Sequence, residues 1–327
     1  MDYVYASGLG LIAVLQAADW LEAPMRFFTF LGTAEFFFLV LPVVYWCIDA
    51  GLGMRIAFIL LFSNAFNEIA KLTFHSPRPY WMSGQVKALA AEPTFGLPSG
   101  HAQLAAGVWG TMAAHLHRLW AWIAASGIIF LIGLSRLYLG VHFPHDVLAG
   151  WLLGCLTLWA FLALSQPIAG WVGGLSPLRQ VLLILAVAAA LLLAQALLVN
   201  SLPGYFLPPE WASSAARAGG RLPPQISMQG MLTTAGALIG LSLGVLWIGR
   251  RGGFQPSGPL WKRELCFIVG FVGVALLHFG LKAIFPAEDS LSGNSLRLVR
   301  YVALGLWISA GAPWAFGMLG LVGKPGN

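Results

Sequence analysis

Apolar residues run along this chain in blocks of about 20, the length that carries a helix across a bilayer, and polar residues collect between the blocks. The pattern predicts an all-α, polytopic membrane helix bundle with about nine transmembrane helices. The expected spans are Phe27–Ile48, Ile56–Phe74, His101–Arg118, Leu119–Leu139, His142–Leu164, Leu178–Val199, Met231–Ile248, Leu265–Ile284 and Leu298–Leu321. Residues 1–25 are amphipathic and mildly acidic through Asp2, Asp19 and Glu22, and predict a short helix lying at the membrane interface. Residues 75–97 and 200–228 are rich in proline, glycine and polar residues and predict irregular loops. Residues 1–165 then form a core of five spans with the interfacial segment, and residues 166–327 form a membrane extension of about four spans that carries no motif.

Composition agrees with the pattern. Hydrophobic residues make up 58% of the 327 and charged residues 9%, where soluble domains carry about 25% charged. The net charge of +6 would suggest nucleic acid in a soluble protein. Here it fits basic loops beside membrane spans, so no nucleic-acid partner is expected. Cys47, Cys155 and Cys266 lie far apart in apolar segments without ligand spacing, and are expected to be buried free thiols. The start Met1, Asp2, Tyr3 has no basic run, so a cleaved signal peptide is not expected.

Orientation follows from the loops. Arg55, Arg118, Arg179, Arg250, Arg251, Lys262, Arg263 and Lys324 fall in one alternating set. The N-terminal acids, Glu210, Glu288 and Asp289 fall in the other, with the polar clusters described next. The positive-inside rule puts the first set in the cytoplasm and the clusters on the extracytoplasmic face.

The polar residues inside the apolar blocks carry the chemistry. Asn64, Asn67, Glu68 and Lys71 share one face of a helix and must meet protein or water rather than lipid. Glu35 sits in an apolar run and is expected either to pack through hydrogen bonds or to line a site. Three clusters stand out: Lys71 with Arg78 and Pro79; Pro98, Ser99, Gly100 and His101; and Ser135 and Arg136 with His142 and Asp146. Arg78 and Arg136 offer planar forks and Lys71 a point charge, a set suited to the oxygens of a phosphoryl group. Ser99 is placed as a helix N-cap, with Gly100 allowing close approach of backbone N–H groups to an anion. His142 and Asp146 are four residues apart, so a helix starting at His142 puts the carboxylate beside the imidazole. That contact fixes the tautomer and leaves the other ring nitrogen to attack phosphorus, with His101 as acid and base. His145 is expected to point elsewhere on that helix in a supporting or interfacial role, and His75 to be a loop histidine. No cluster of acids has metal-binding spacing, so neither a metal nor another cofactor is expected.

At these residues the chain resembles the type 2 phosphatidic acid phosphatase superfamily, which includes the vanadium haloperoxidases. The three-part signature is present at Lys71/Arg78/Pro79, Pro98–His101 and Ser135/Arg136/His142/Asp146. The resemblance implies that core fold, with Lys71, Arg78, Ser99, Gly100 and Arg136 binding phosphate. It implies His142 as nucleophile, His101 as acid/base and Asp146 as the orienting partner. Arg78, Pro79, Tyr80 and Trp81, with His142, Phe143, Pro144 and His145, are similar to the glucose-6-phosphatase branch. Gly32 through Phe38, with Tyr45 and Trp46, is similar to sphingosine-1-phosphate phosphatases. Asp146 stands where the glucose-6-phosphatase branch carries glutamine, so the chain keeps the general lipid-phosphatase form.

The expected function is therefore metal-independent hydrolysis of a lipid phosphate ester through a phosphohistidine, with membrane lipids as partners. A diphosphate substrate is compatible. A soluble sugar phosphate is the alternative substrate, and a non-catalytic scaffold or lipid transporter is the alternative class. Gly150 and Gly154 form a GxxxG spacing, a weak sign of a homodimer in a chain with 39 glycines.

Overall fold

The structure is a computed structural model, and it describes residues 3–90, 92, 94–202, 208–221, 226–285 and 290–322. Asp2, Glu288, Asp289 and Lys324, together with 203–207 and 222–225 of the expected 200–228 loop, lie outside the described residues. The described residues form helices and no strand. In order these are α1 (Tyr3–Gln16), α2 (Glu22–Phe30), α3 (Ala34–Val43), α4 (Ala50–Phe74), α5 (Pro79–Met82), α6 (Gly100–Leu116), α7 (Leu119–Tyr138) and α8 (Pro144–Gly173). Then come α9 (Pro177–Asn200), α10 (Pro209–Arg217), α11 (Gln229–Gly249), α12 (Leu260–Ala275), α13 (Leu281–Ile284), α14 (Leu291–Leu306) and α15 (Ala312–Met318). Single π turns extend α3, join α12 to α13, and join α14 to α15.

Six helical segments among the described residues are long and apolar enough to cross a membrane: Ala50–Met82, Leu119–Tyr138, Pro144–Gly173, Pro177–Asn200, Gln229–Gly249 and Leu260–Ile284. The number rises to seven if the N-terminal bent pair is one span, against the nine expected. Three expected spans are not among the six: Leu298–Leu321 is divided between α14, a π turn and α15, and the other two differ for visible reasons. Phe27–Ile48 is not one helix, because α2 ends at Phe30 and a new helix starts at Ala34. Thr33 Oγ1 caps that start by accepting the Phe36 N–H at 3.2 Å. The stretch expected to begin at His101 is a helix of only 17 residues.

The N-terminal segment is also bent more sharply than an interfacial helix would be. Residues 3–16 and 19–30 form two helices at 85°. Glu35 is exposed in the first turn of α3, where an acid suits the helix dipole; it neither packs inside nor lines a site. The 200–228 loop contains α10, with Pro209 at its first position, Glu210 in its first turn and Arg217 in its last. Of the three free cysteines only Cys266 is buried; Cys47 is half-buried and Cys155 is exposed on α8, where a thiol is apolar enough to face hydrocarbon.

The chain divides into two compact units. The first comprises residues 1–37, 62–163 and 198–226. Its core includes Ile12, Met25, Tyr80, Trp81, Tyr138 and Phe143. Here α8 packs on α6 through Gly150 and Gly154. A Cβ at either would lie 2.5 Å from a carbonyl oxygen of the other helix, of Ser99 and Gln103 respectively. The GxxxG face is thus filled from within the chain and is not a free dimer surface.

The second unit comprises residues 38–61, 164–197 and 227–327. Gly236, Gly240 and Gly244 of α11 lie against the 298–310 stretch, a small-residue face of the kind that lets helices approach closely. Tyr45 and Trp46 donate to the carbonyls of Ser309 and Ile308 at 2.9 and 3.0 Å.

Candidate active site

Three segments of the first unit meet at the ends of α4, α6, α7 and α8. The segment after α4 turns at His75, whose backbone is left-handed with φ of 48° and whose ring stands edge-on to Phe95 at 5.2 Å. Backbone hydrogen bonds then tie the segments together: Gly96 N–H to Ser76 O at 2.8 Å, and Ser99 N–H to Asp146 O at 2.9 Å. Gly96 permits the first contact, since a Cβ there would lie 2.6 Å from Pro77 O. The α4 polar stripe supports the same junction. Asn67 donates to Gln103 Oε1 at 2.8 Å and to Pro98 O at 3.3 Å, and a Cβ on Gly100 would sit 3.1 Å from Asn67 Oδ1.

The histidine that precedes α8 is oriented by that helix's first turn. α8 starts at Pro144, two residues later than expected, so His142 lies outside it. Asp146 occupies the third helical position, and its Oδ2 reaches back to accept the Phe143 N–H at 2.9 Å, half of a capping box. The same oxygen lies 3.3 Å from His142 Nδ1. On the other side of the ring, His142 Nε2 lies 3.2 Å from Arg78 Nη1. A guanidinium only donates, so Nε2 holds a lone pair and the ring proton is on Nδ1, facing Asp146. Burial, then Arg78, Arg136 and Lys71, holds the His142 pKa well below the usual histidine value. The ring is therefore neutral at neutral pH. His145 stacks on Phe143 with ring centres 5.3 Å apart, and its Nε2 stands 3.4 Å from Asp146 Oδ1. It approaches Asp146 from the side opposite His142, closer to these residues than the helix spacing implied.

Of the expected phosphate ligands, Lys71, Arg78 and Arg136 are brought together through shared protein partners. Arg78 is fully buried and donates to Thr94 O at 2.6 Å, Val141 O at 2.7 Å, Thr94 Oγ1 at 3.1 Å and Phe95 O at 3.1 Å. Lys71 Nζ donates to the same Thr94 hydroxyl at 2.7 Å. Arg136 donates to Thr29 Oγ1 from one nitrogen and to Glu92 Oε1 from another. Its Nε is buried without a hydrogen-bond partner among the described residues. Ser99 stands at the N-cap position of α6, yet its hydroxyl caps nothing and is likewise buried without a partner. Buried unpaired donors of this kind are costly and call for an acceptor. His101, at the start of α6, points Nδ1 toward Glu92 Oε1 at 3.8 Å.

Glu92, Thr94 and Thr29 were not singled out from the sequence. The signal available for Glu92 was an acid in the loop between two cation-bearing segments, nine positions before His101. Its carboxylate lies between Arg136, Arg78 and His101, with Arg78 Nη2 at 3.8 Å from Oε2. A separate cavity of about 810 Å³ is lined by α1, by Met82 through Val86, and by Ser214 and Arg217 of α10; none of the residues just described lines it.

Residues 52–169 match the family described as the PAP2 superfamily, and residues 232–324 match the PAP2 superfamily phosphatase transmembrane extension. The chain is 33% identical over 161 residues to phosphatidylglycerophosphatase B of Bacillus subtilis (strain 168), covering 44% of this chain and 75% of that protein. It is 29% identical over 185 residues to glucose-6-phosphatase 3 of Bos taurus, covering 49% and 53%. It thus spans about half the length of that glucose-6-phosphatase. Among solved structures, the first transmembrane PAP2 type phosphatidylglycerolphosphate phosphatase from Bacillus subtilis matches with a TM-score of 0.46 at 26% identity, over 51% of this chain and 89% of that one.

Proposed function

Because the chain belongs to the PAP2 superfamily, we propose that it is an integral-membrane phosphatase that hydrolyses a lipid phosphate ester without a metal, through a phosphohistidine on His142. One observation carries this: the unprotonated His142 Nε2 lies 3.2 Å from the Arg78 guanidinium, and Arg78 and Arg136 both approach the Glu92 carboxylate. A phosphoryl group seated on those cations presents phosphorus to that nitrogen. In the first step Nε2 bonds to phosphorus and the ester P–O bond breaks. Its electron pair stays on the leaving oxygen, which takes a proton from His101. In the second step His101 removes a proton from water, the water oxygen bonds to phosphorus, and the N–P bond breaks to return His142. Asp146 stabilises the positive ring while the N–P bond exists. Lys71, Arg78 and Arg136 supply the positive charge that a metal ion would otherwise bring.

The site residues sit at the ends of α4, α6, α7 and α8. In a membrane, a headgroup can enter such a site sideways while its acyl chains stay in the bilayer. The loop charges favour an extracytoplasmic location. Phosphatidylglycerophosphatase B is a relative matched over 75% of its length, which favours a lipid over a sugar substrate. The test is phosphate release by the detergent-purified protein from phosphatidylglycerophosphate, phosphatidic acid, sphingosine phosphate, an isoprenoid diphosphate and glucose 6-phosphate. Faster turnover of glucose 6-phosphate than of every lipid overturns the substrate class. Release from none of them points to the scaffold or transporter alternative. Activity that survives His142→Ala overturns the mechanism.

A further inference from the structure

Glu92 stands where the proposed substrate's phosphate has to go. Its Oε1 accepts from Arg136 and faces His101 Nδ1 at 3.8 Å, while its Oε2 faces Arg78 Nη2 at 3.8 Å. Two of these groups are proposed phosphate ligands and the third is the proposed acid/base. A carboxylate is a smaller oxyanion than phosphate, with two acceptor oxygens and one charge, and it suits the same guanidinium forks. It satisfies them only in part, since Arg136 Nε remains buried without a hydrogen-bond partner among the described residues.

The Glu92 carbonyl is held by a hydrogen bond, while its side chain is more exposed than the two guanidinium groups it meets. The buried Tyr80 hydroxyl donates to Glu92 O at 3.0 Å, and Lys71 and Arg78 hold Thr94 and Phe95 just beyond. The Glu92 side chain is 18% exposed, against 0% for Arg78 and 2% for Arg136. With His101 at 19%, it lies on the exposed side of the two guanidinium groups, where rotation about its own side-chain bonds can move the carboxylate outward. Burial alone would raise the Glu92 pKa, but Arg136 and Arg78, with His101 and Lys71 behind them, overcome that and hold it well below the usual carboxylate range. The group is an anion at any working pH.

Resting on the phosphatase reading above, we propose that Glu92 is a built-in surrogate for phosphate: its carboxylate closes the empty anion seat and is displaced from Arg78 and Arg136 when substrate enters. Two consequences follow. Every anion that binds must first displace the carboxylate, so apparent affinities fall by the fraction of molecules with the seat open. And because Tyr80 keeps Glu92 tethered, the carboxylate returns as inorganic phosphate leaves, which speeds release of a product that so many cations would otherwise retain.

The test is calorimetric titration of inorganic phosphate into the full-length protein in detergent, comparing wild type with Glu92→Gln. The amide keeps the shape and loses the charge-assisted contacts, so phosphate should bind about tenfold more tightly to the variant. Unchanged or weaker binding by Glu92→Gln overturns the surrogate and leaves the phosphatase reading standing, provided wild type binds phosphate. Binding by neither protein overturns both. If Glu92→Gln does not give folded protein, Tyr80→Phe decides. It frees the Glu92 carbonyl without touching the cations, and should tighten phosphate binding in the same direction; no change there overturns the proposal.

Discussion

Asp146 Oδ2 stands 3.3 Å from His142 Nδ1 although the two residues do not share a helix. The contact depends on Asp146 turning back toward the Phe143 N–H at the start of α8. One carboxylate oxygen thus closes the helix end and orients the ring. Asp146→Asn leaves the volume unchanged but can offer an N–H where the ring needs an acceptor. The expected result is a fall in kcat of about 10²–10⁴-fold with KM little altered. A change of less than about threefold would remove Asp146 from the mechanism.

Arg78 spreads its guanidinium over four protein acceptors and the His142 ring. Lysine keeps the charge but cannot reproduce the fork. Arg78→Lys should lower kcat/KM by about 10–100-fold, the equivalent of one or two lost charge-assisted hydrogen bonds. It should also lower the melting temperature in detergent, because Thr94, Phe95 and Val141 lose their donor. Full activity with a lowered melting temperature would make Arg78 structural only.

The depressed pKa of His142 has a consequence for stability. Burial and the neighbouring cations disfavour its charged form in the folded protein, whereas the unfolded chain protonates it below about pH 6.5. Between that value and the lower folded-state value, the unfolded state binds more protons, so stability rises with pH and is lost as pH falls. Melting temperatures recorded from pH 7.5 to 5 without ligand should drop more steeply for wild type than for His142→Asn. Parallel curves would contradict the assignment.

Gly150 permits α8 to approach α6 at Ser99, where a Cβ would lie 2.5 Å from the Ser99 carbonyl. Gly150→Ala forces the helices apart and moves the Pro98–His101 turn. A loss of about 1–3 kcal/mol of stability is expected, together with reduced turnover. Thermal unfolding and steady-state assay on the same preparation check it. An Ala variant with wild-type stability and activity would show that the junction tolerates movement.

Much of this was legible in the sequence because charged residues inside hydrocarbon have few roles. Lys71, Arg78 and Arg136 stood out against apolar neighbours, and the structure links them through Thr94 and Glu92. The helical character and most of the later spans followed from block length. What failed were features decided by tertiary packing or by local capping. The break at Gly32 and Thr33 depends on one hydroxyl. The α8 boundary depends on Asp146 bonding backwards. The Gly150/Gly154 pattern looks the same whether it faces α6 or a second chain. Ser99 has the residue type of a cap but leaves its hydroxyl unpaired. Glu92 was invisible for a different reason: an acid in a polar loop carries no periodicity, and only the fold shows which cations it meets.

The proposed hydrolysis depends most on His142 forming a bond to phosphorus. Rapid mixing of the enzyme with a ³²P-labelled lipid phosphate, quenching in alkali, and mass spectrometry of the peptide containing His142 test it directly. Phosphate is expected on the His142 ring, lost on brief acid treatment, absent in His142→Ala and accumulating in a His101→Ala variant whose second step is slowed. Turnover of the same substrate with no label on His142 at any quench time would contradict it.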